Sequence, residues 1–135
     1  VLGLCQLKKL DSNNQIRIDN FKYFVDSLDS EKYYTDFRMD GQCNYAFIVV
    51  MKDADLELRN RIESVMNENG IEFRRGLSGG GNQMRQPFFK SQFKIPYNEY
   101  PNIEHIHNFS WYVGNYPSLE RYKIDNLIGL LNEIE

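Results

Sequence analysis

"YAFIVVM", Tyr45 to Met51, is the stretch on which the reading of this chain turns. It is apolar throughout and rich in β-branched and aromatic residues. The Asp40-Gly41 pair upstream is a turn signal, so the run predicts a buried strand. Toward the N-terminus, Tyr33 to Phe37 suits a short strand. Before it, Leu2, Cys5, Leu7, Leu10, Ile16, Phe21, Phe24, Val25 and Leu28 recur at roughly helical spacing. The polar Asp11-Ser12-Asn13-Asn14 weakens the middle of that pattern, which predicts one long opening helix or two.

Toward the C-terminus, Leu58, Ile62, Val65 and Met66 fall at i, i+4, i+7 and i+8. Asp55 is placed to cap that helix and Asn69-Gly70 to stop it. Ile71 to Arg74 predicts a strand that delivers a glycine-rich loop. A long irregular stretch follows, in which Pro87, Pro96 and Pro101 limit regular structure. "HNFSWYV", His107 to Val113, predicts a third core strand, and Gly114-Asn115-Tyr116-Pro117 a turn. Ser118 is the expected cap of a final helix striped by Ile124, Leu127, Ile128 and Leu131. The order predicts an α+β fold, a small and mostly antiparallel sheet covered on one face by helices. No internal repeat interrupts it.

The 135 residues suit one domain, and no apolar run approaches the roughly 20 residues of a membrane-spanning helix. A formal charge of -3 supplies no global attraction to nucleic acid or to an anionic membrane, so neither is an expected partner. Basic residues matter where they cluster, and the clearest cluster is Arg74, Arg75 and Arg85. Cys5 and Cys43 are too few and too far apart for a disulfide framework, which fits a reducing cytoplasm, and both read as packing residues. The chain starts at Val1 without an initiator Met, so a piece of a longer protein is expected.

The chemistry concentrates in "FRRGLSGGGNQMRQPFF", Phe73 to Phe89. The phosphate-loop and dinucleotide glycine spacings are missing. Glycines still let backbone N–H groups approach a ligand, arginines offer forked donors to carboxylate or phosphate, and Asn82, Gln83 and Gln86 suit hydroxyl groups. Arg75-Gly76 to Pro87 is too polar for a core, which leaves solvent or a ligand as its surroundings.

His105 and His107 would share one face of a strand, a spacing open to metal, but no further ligand lies at a motif distance and an interface or structural role is the better reading. Phe109, Trp111 and Val113 form a stripe suited to core or a subunit contact. Tyr33-Tyr34 and Tyr97 to Tyr100 suit surface aromatics near a partner. No Ser-His-Asp set, CxxC or paired-acid motif is present. Lys8, Lys9, Lys52, Lys90 and Lys94 sit in polar contexts unlike an activated Schiff-base lysine. The chain reads as part of a site.

Three segments, "GLCQLKKLD", "NGIEFRRGLSGGGNQMRQPFF" and "IEHIHNFSWYVGNYPSLERYKIDNLIGLLNEI", resemble, in order, the C-terminal small domain of the DegT/DnrJ/EryC1/StrS family. These are fold type I, pyridoxal-phosphate-dependent sugar aminotransferases with related sugar dehydratases. The resemblance implies a single C-terminal domain over residues 1–135. The larger domain, with the cofactor pocket and its lysine, would lie outside this chain, so no covalent cofactor and no activity are expected of the fragment alone. The parent would be a cytoplasmic homodimer in surface polysaccharide or lipopolysaccharide synthesis. It would move an amino group from an amino-acid donor to a nucleotide-linked keto sugar, or act as a sugar-nucleotide 3-dehydratase.

On that resemblance Arg75, Asn82 and Arg85 would contact the sugar nucleotide or the donor carboxylate. Gly79, Gly80 and Gly81 would give the loop close approach and mobility, and His107 and Asn108 would join them at the mouth of the site. No metal is expected. Two other readings stay open: a freestanding α+β module gripping an anionic metabolite or single-stranded nucleic acid, the latter disfavoured by the negative net charge, and a purely structural dimerisation domain.

Overall fold

The computed structural model describes residues 2–79, 81–93 and 96–135. Its sheet has three strands, β1 (Ala46–Val50), β2 (Phe73–Arg74) and β3 (Ser110–Gly114), in the order β1-β3-β2 with both pairings antiparallel. The helices are α1 (Leu2–Leu7), α2 (Leu10–Ser27), α3 (Leu56–Glu68), α4 (Pro87–Gln92), α5 (Pro101–Phe109) and α6 (Arg121–Glu133). The expected α+β fold is therefore found. None of the described helices is long and apolar enough to cross a membrane.

The alternation of β1 and β3 separates two faces. Phe47 and Val49, with Trp111 across from Val49, share a buried cluster with Phe21, Phe24 and Val25 of α2, Ile62 and Met66 of α3, and the α6 stripe Ile124, Leu127, Ile128 and Leu131. Phe24 and Phe47 stack with ring centroids 4.6 Å apart. Full burial of each such side chain stabilises the fold by about 1.5–3 kcal/mol. The other face carries a groove of about 450 Å³ that reaches Ile48, Tyr112, Ile106 and Ser78.

Local signals account for α3. Asp55 caps it, its Oδ1 accepting from the N–H groups of Glu57 and Leu58 at 2.8 and 2.9 Å, and Gly70 ends it at a φ of 67°.

Several expectations are corrected. The opening helix is two helices, but the break falls at Lys8–Lys9 rather than in the polar stretch. Ser12 stays helical with its hydroxyl bonded to the Lys9 carbonyl at 3.1 Å. Tyr33 to Phe37 is no strand: one bridge joins Tyr33 to Met51, because the Tyr33 ring turns inward and its hydroxyl donates to the Leu131 carbonyl at 2.8 Å. Tyr33 is thus core rather than surface, and burial pushes its phenol well above the usual range.

Cys5 and Cys43 are exposed and do not pack in the core. Ser118 caps nothing, since a turn closed by the Leu119 N–H on the Tyr116 carbonyl delays α6 to Arg121. Pro87 and Pro101 start helices instead of preventing them. Each lies at the first position, where the missing N–H is not needed and the fixed φ is already helical.

Candidate functional site

The short strand β2 runs out at Arg74, and the chain then turns through 3₁₀ segments at Gly76–Gly79 and Gln83–Arg85. Gly76 takes a φ of 62°, a left-handed conformation suited to glycine, and its carbonyl accepts from the Gly81 N–H at 2.8 Å. This closes a tight loop against α5. A Cβ on Gly81 would stand 2.4 Å from His107 Nδ1 and 2.8 Å from the Gly76 oxygen. Glycine at position 81 therefore lets the backbone lie on the His107 imidazole. Gly79 ends the first 3₁₀ segment, while Gly80 lies outside the described residues.

His107 and Asn82 hold the loop. The Asn82 N–H donates to His107 Nδ1 at 3.1 Å, which requires that nitrogen to be unprotonated. Asn82 is 1% exposed, its amide donating to the Tyr97 carbonyl at 3.0 Å and its Oδ1 accepting from the Met84 N–H at 3.0 Å. Burial lowers the His107 pKa below 6.5; Arg85 and Arg75 lower it further, while Glu104 opposes them.

Both arginines of interest are paired. Arg85 Nε donates to both Glu104 oxygens at 2.7 and 3.2 Å and Nη2 to Oε2 at 3.0 Å, while its guanidinium lies over the Tyr97 ring, 4.2 Å from the centroid. The hydrogen bond to Glu104 raises the Arg85 pKa further above its ordinary value. Arg75 Nε donates to Glu63 Oε1, which also accepts the Trp111 indole N–H at 2.8 Å. The Asn108 amide donates to the Glu104 carbonyl at 2.8 Å, within its own helix.

Asn82, Arg85 and His107 thus converge around Glu104 and Tyr97, while Arg75 lies to one side on Glu63. The expected choice between solvent and ligand for residues 75–87 was incomplete. Protein itself surrounds Asn82, because every polar group of that side chain finds an internal partner. His105 and His107 lie on α5, not on a strand, so two positions apart they point to different sides. His105 Nε2 sits 2.7 Å from the Met51 oxygen, whereas His107 meets the Asn82 N–H. "HNFSWYV" accordingly divides: His107 to Phe109 end the helix and the strand begins at Ser110.

Glu63, Glu104 and Tyr97 were not singled out from sequence in these roles. Glu63 occupies an ordinary polar position of a helical pattern, and the contact to Glu104 spans 19 residues with no motif to mark it.

The sequence matches the profile of the DegT/DnrJ/EryC1/StrS aminotransferase family over residues 1–132. The lipopolysaccharide biosynthesis protein RfbH of Salmonella typhimurium is 24% identical over 135 aligned residues, which cover 97% of this chain and 30% of RfbH. Among solved structures, a Streptococcus pneumoniae protein described as a sugar aminotransferase, in its apo form, superposes with a TM-score of 0.81 at 17% identity, over 98% of this chain and 33% of its own. The E. coli GDP-4-keto-6-deoxy-D-mannose-3-dehydratase with bound hydrated PLP superposes with a TM-score of 0.80 at 25% identity, over 96% of this chain and 33% of its own. The chain spans about a third of the length of these relatives.

Proposed function

Since the chain belongs to the DegT/DnrJ/EryC1/StrS aminotransferase family, we propose that it is the C-terminal small domain of a pyridoxal-phosphate-dependent enzyme that aminates a nucleotide-linked keto sugar. The observation that carries this reading is the family match over residues 1–132. The likeness to RfbH favours lipopolysaccharide precursor synthesis as the setting. A cytoplasmic homodimer is part of the proposal for the parent.

The cofactor, when bound, supplies the electron sink for amino transfer. The described residues do not fit its covalent attachment. Lys8, Lys9, Lys22, Lys52, Lys90 and Lys123 are exposed, and Lys32 donates to the carbonyls of Asn132 and Ile134 at 2.6 and 2.9 Å. None is the desolvated lysine that Schiff-base chemistry needs. Lys94 lies outside the described residues. In this reading a larger domain of the parent holds the cofactor, and this chain alone is inactive.

The contribution of this chain is substrate orientation. Arg85 supplies forked donors for a carboxylate or phosphate, and Arg75, paired with Glu63, is a second candidate contact to one side. His107 and Asn82 hold the intervening loop, with Asn108, Gly79 and Gly81 completing the mouth. A 3-dehydratase outcome is the second reading, favoured by the 25% identity to the E. coli dehydratase against 17% to the S. pneumoniae aminotransferase.

The test is to incubate the full-length gene product with pyridoxal phosphate, L-glutamate and a nucleotide-linked 4-keto-6-deoxy sugar, and to analyse the sugar. Gain of nitrogen supports amination, and loss of the 3-hydroxyl oxygen supports the dehydratase. An unchanged sugar, together with no cofactor absorbance band in the protein, sinks both.

A further inference from the structure

Arg85 is held along one edge only. Its Nε and Nη2 face the two oxygens of Glu104, and its flat face rests on Tyr97. Among the described residues no hydrogen bond takes up Nη1 or the second hydrogen of Nη2, and the side chain is 31% exposed. A guanidinium has five N–H donors in a rigid plane, so fixing one edge fixes the direction of the other. The edge formed by Nη1 and Nη2 is therefore aimed, and its donors are spaced for a planar or tetrahedral oxyanion.

Glu104 is itself fixed. It lies within α5, which starts at Pro101, and its backbone carbonyl accepts from Asn108. Its side chain is 16% exposed, so water competes weakly for its oxygens. An arginine without such support loses side-chain entropy when it binds a ligand; here much of that ordering precedes the ligand.

We propose that Glu104 is the positioning residue for Arg85, holding its Nε–Nη2 edge so that the Nη1–Nη2 edge meets an oxyanion, either the carboxylate of an amino donor or the phosphate of a nucleotide-linked sugar. This rests on the reading of Arg85 as a substrate contact. An alternative role for Glu104 makes the opposite prediction. If the carboxylate merely offsets the arginine charge, removing its charge leaves a more positive site that binds anions more tightly.

The experiment is equilibrium titration of the full-length protein, loaded with pyridoxal phosphate, with two probes in separate arms. Glutarate is a dicarboxylate that lacks the amino group and cannot react, and GDP carries the phosphates. Arg85→Ala is expected to weaken one probe about tenfold or more, and that probe identifies the oxyanion. Glu104→Gln, which keeps the shape, and Glu104→Asp, which keeps the charge but withdraws the oxygens, are both expected to weaken the same probe roughly tenfold in protein that circular dichroism shows to be folded at the titration temperature.

If Arg85→Ala changes neither probe, the substrate-contact reading fails and the positioning role fails with it. If Arg85→Ala weakens a probe while Glu104→Gln binds it equally or more tightly, only the positioning role is overturned.

Discussion

Trp111 at the centre of the sheet donates its indole N–H to Glu63 on α3 across 2.8 Å, joining residues 48 positions apart in the chain. The same carboxylate oxygen accepts from Arg75, the residue that opens the glycine loop. One side chain therefore ties a helix, the middle strand and the start of the candidate site. Trp111 is 2% exposed, so its N–H has no easy substitute in water.

Glu63→Ala is expected to destabilise the fold by about 2–3 kcal/mol, since it strands a buried indole donor and breaks an ion pair that is largely shielded from solvent. Arg75→Ala should cost less, because Trp111 still engages the carboxylate. Thermal denaturation of both variants checks the order. Equal melting temperatures for Glu63→Ala and the parent would show that the shared contact contributes nothing.

Two glycine-to-alanine substitutions should move in opposite directions. Gly81→Ala forces a Cβ into His107 Nδ1 and the Gly76 carbonyl, at 2.4 and 2.8 Å, and overpacking of this kind costs about 1–3 kcal/mol. Gly129→Ala on α6 meets nothing within 4 Å and should stabilise by up to about 1 kcal/mol through helix propensity. Urea midpoints for the two proteins provide the comparison. A neutral Gly81→Ala would mean that the loop does not rest on His107.

The pKa of His107 is lowered in the fold from its ordinary 6.5, chiefly by burial. As pH falls below 6.5 the unfolded chain takes up this proton more readily than the folded one, so the unfolded state gains. The stability contributed by neutral His107 is complete above pH 6.5 and declines as pH drops from there through the folded-state pKa. Urea midpoints measured from about pH 7.5 to about pH 5 should fall more steeply for the parent than for His107→Asn, which keeps an acceptor but does not titrate. Parallel slopes would remove His107 as the source.

Asp55→Ala should cost about 1 kcal/mol, because Asp55 satisfies two otherwise unpaired N–H groups of α3. Asp55→Asn should cost only a fraction of that. Circular dichroism melts would expose a mistaken cap if Asp55→Ala were as stable as the parent.

The elements that were legible in sequence share a local cause. For β1 it was an uninterrupted apolar run, for α3 a cap and a stop at the two ends of a periodic stripe, and for α6 the stripe of Ile124, Leu127, Ile128 and Leu131. The candidate residues Arg75, Asn82, Arg85, His107 and Asn108 were also chosen from sequence, but their surroundings were not visible there. Asn82 looked too polar to be buried because the Tyr97 carbonyl that accepts its amide lies 15 residues away with no motif to announce it. His107 to Phe109 looked like part of a strand because the aromatic content of His107 to Val113 favours strands, whereas proline at the first helical position decided for helix.

By itself, the sequence determined which segments are helix or strand wherever caps, turns and periodicity are strong, and the single antiparallel sheet backed by helices that follows from them. Only the tertiary structure decided that Arg85 faces Glu104, that Arg75 shares Glu63 with Trp111, and that Gly81 lies against His107. Helix periodicity and capping are interactions within a few residues, so they leave a local record. The pairings of the site form between side chains 12 to 48 positions apart, and nothing in the order of residues encodes a distance until the chain has packed.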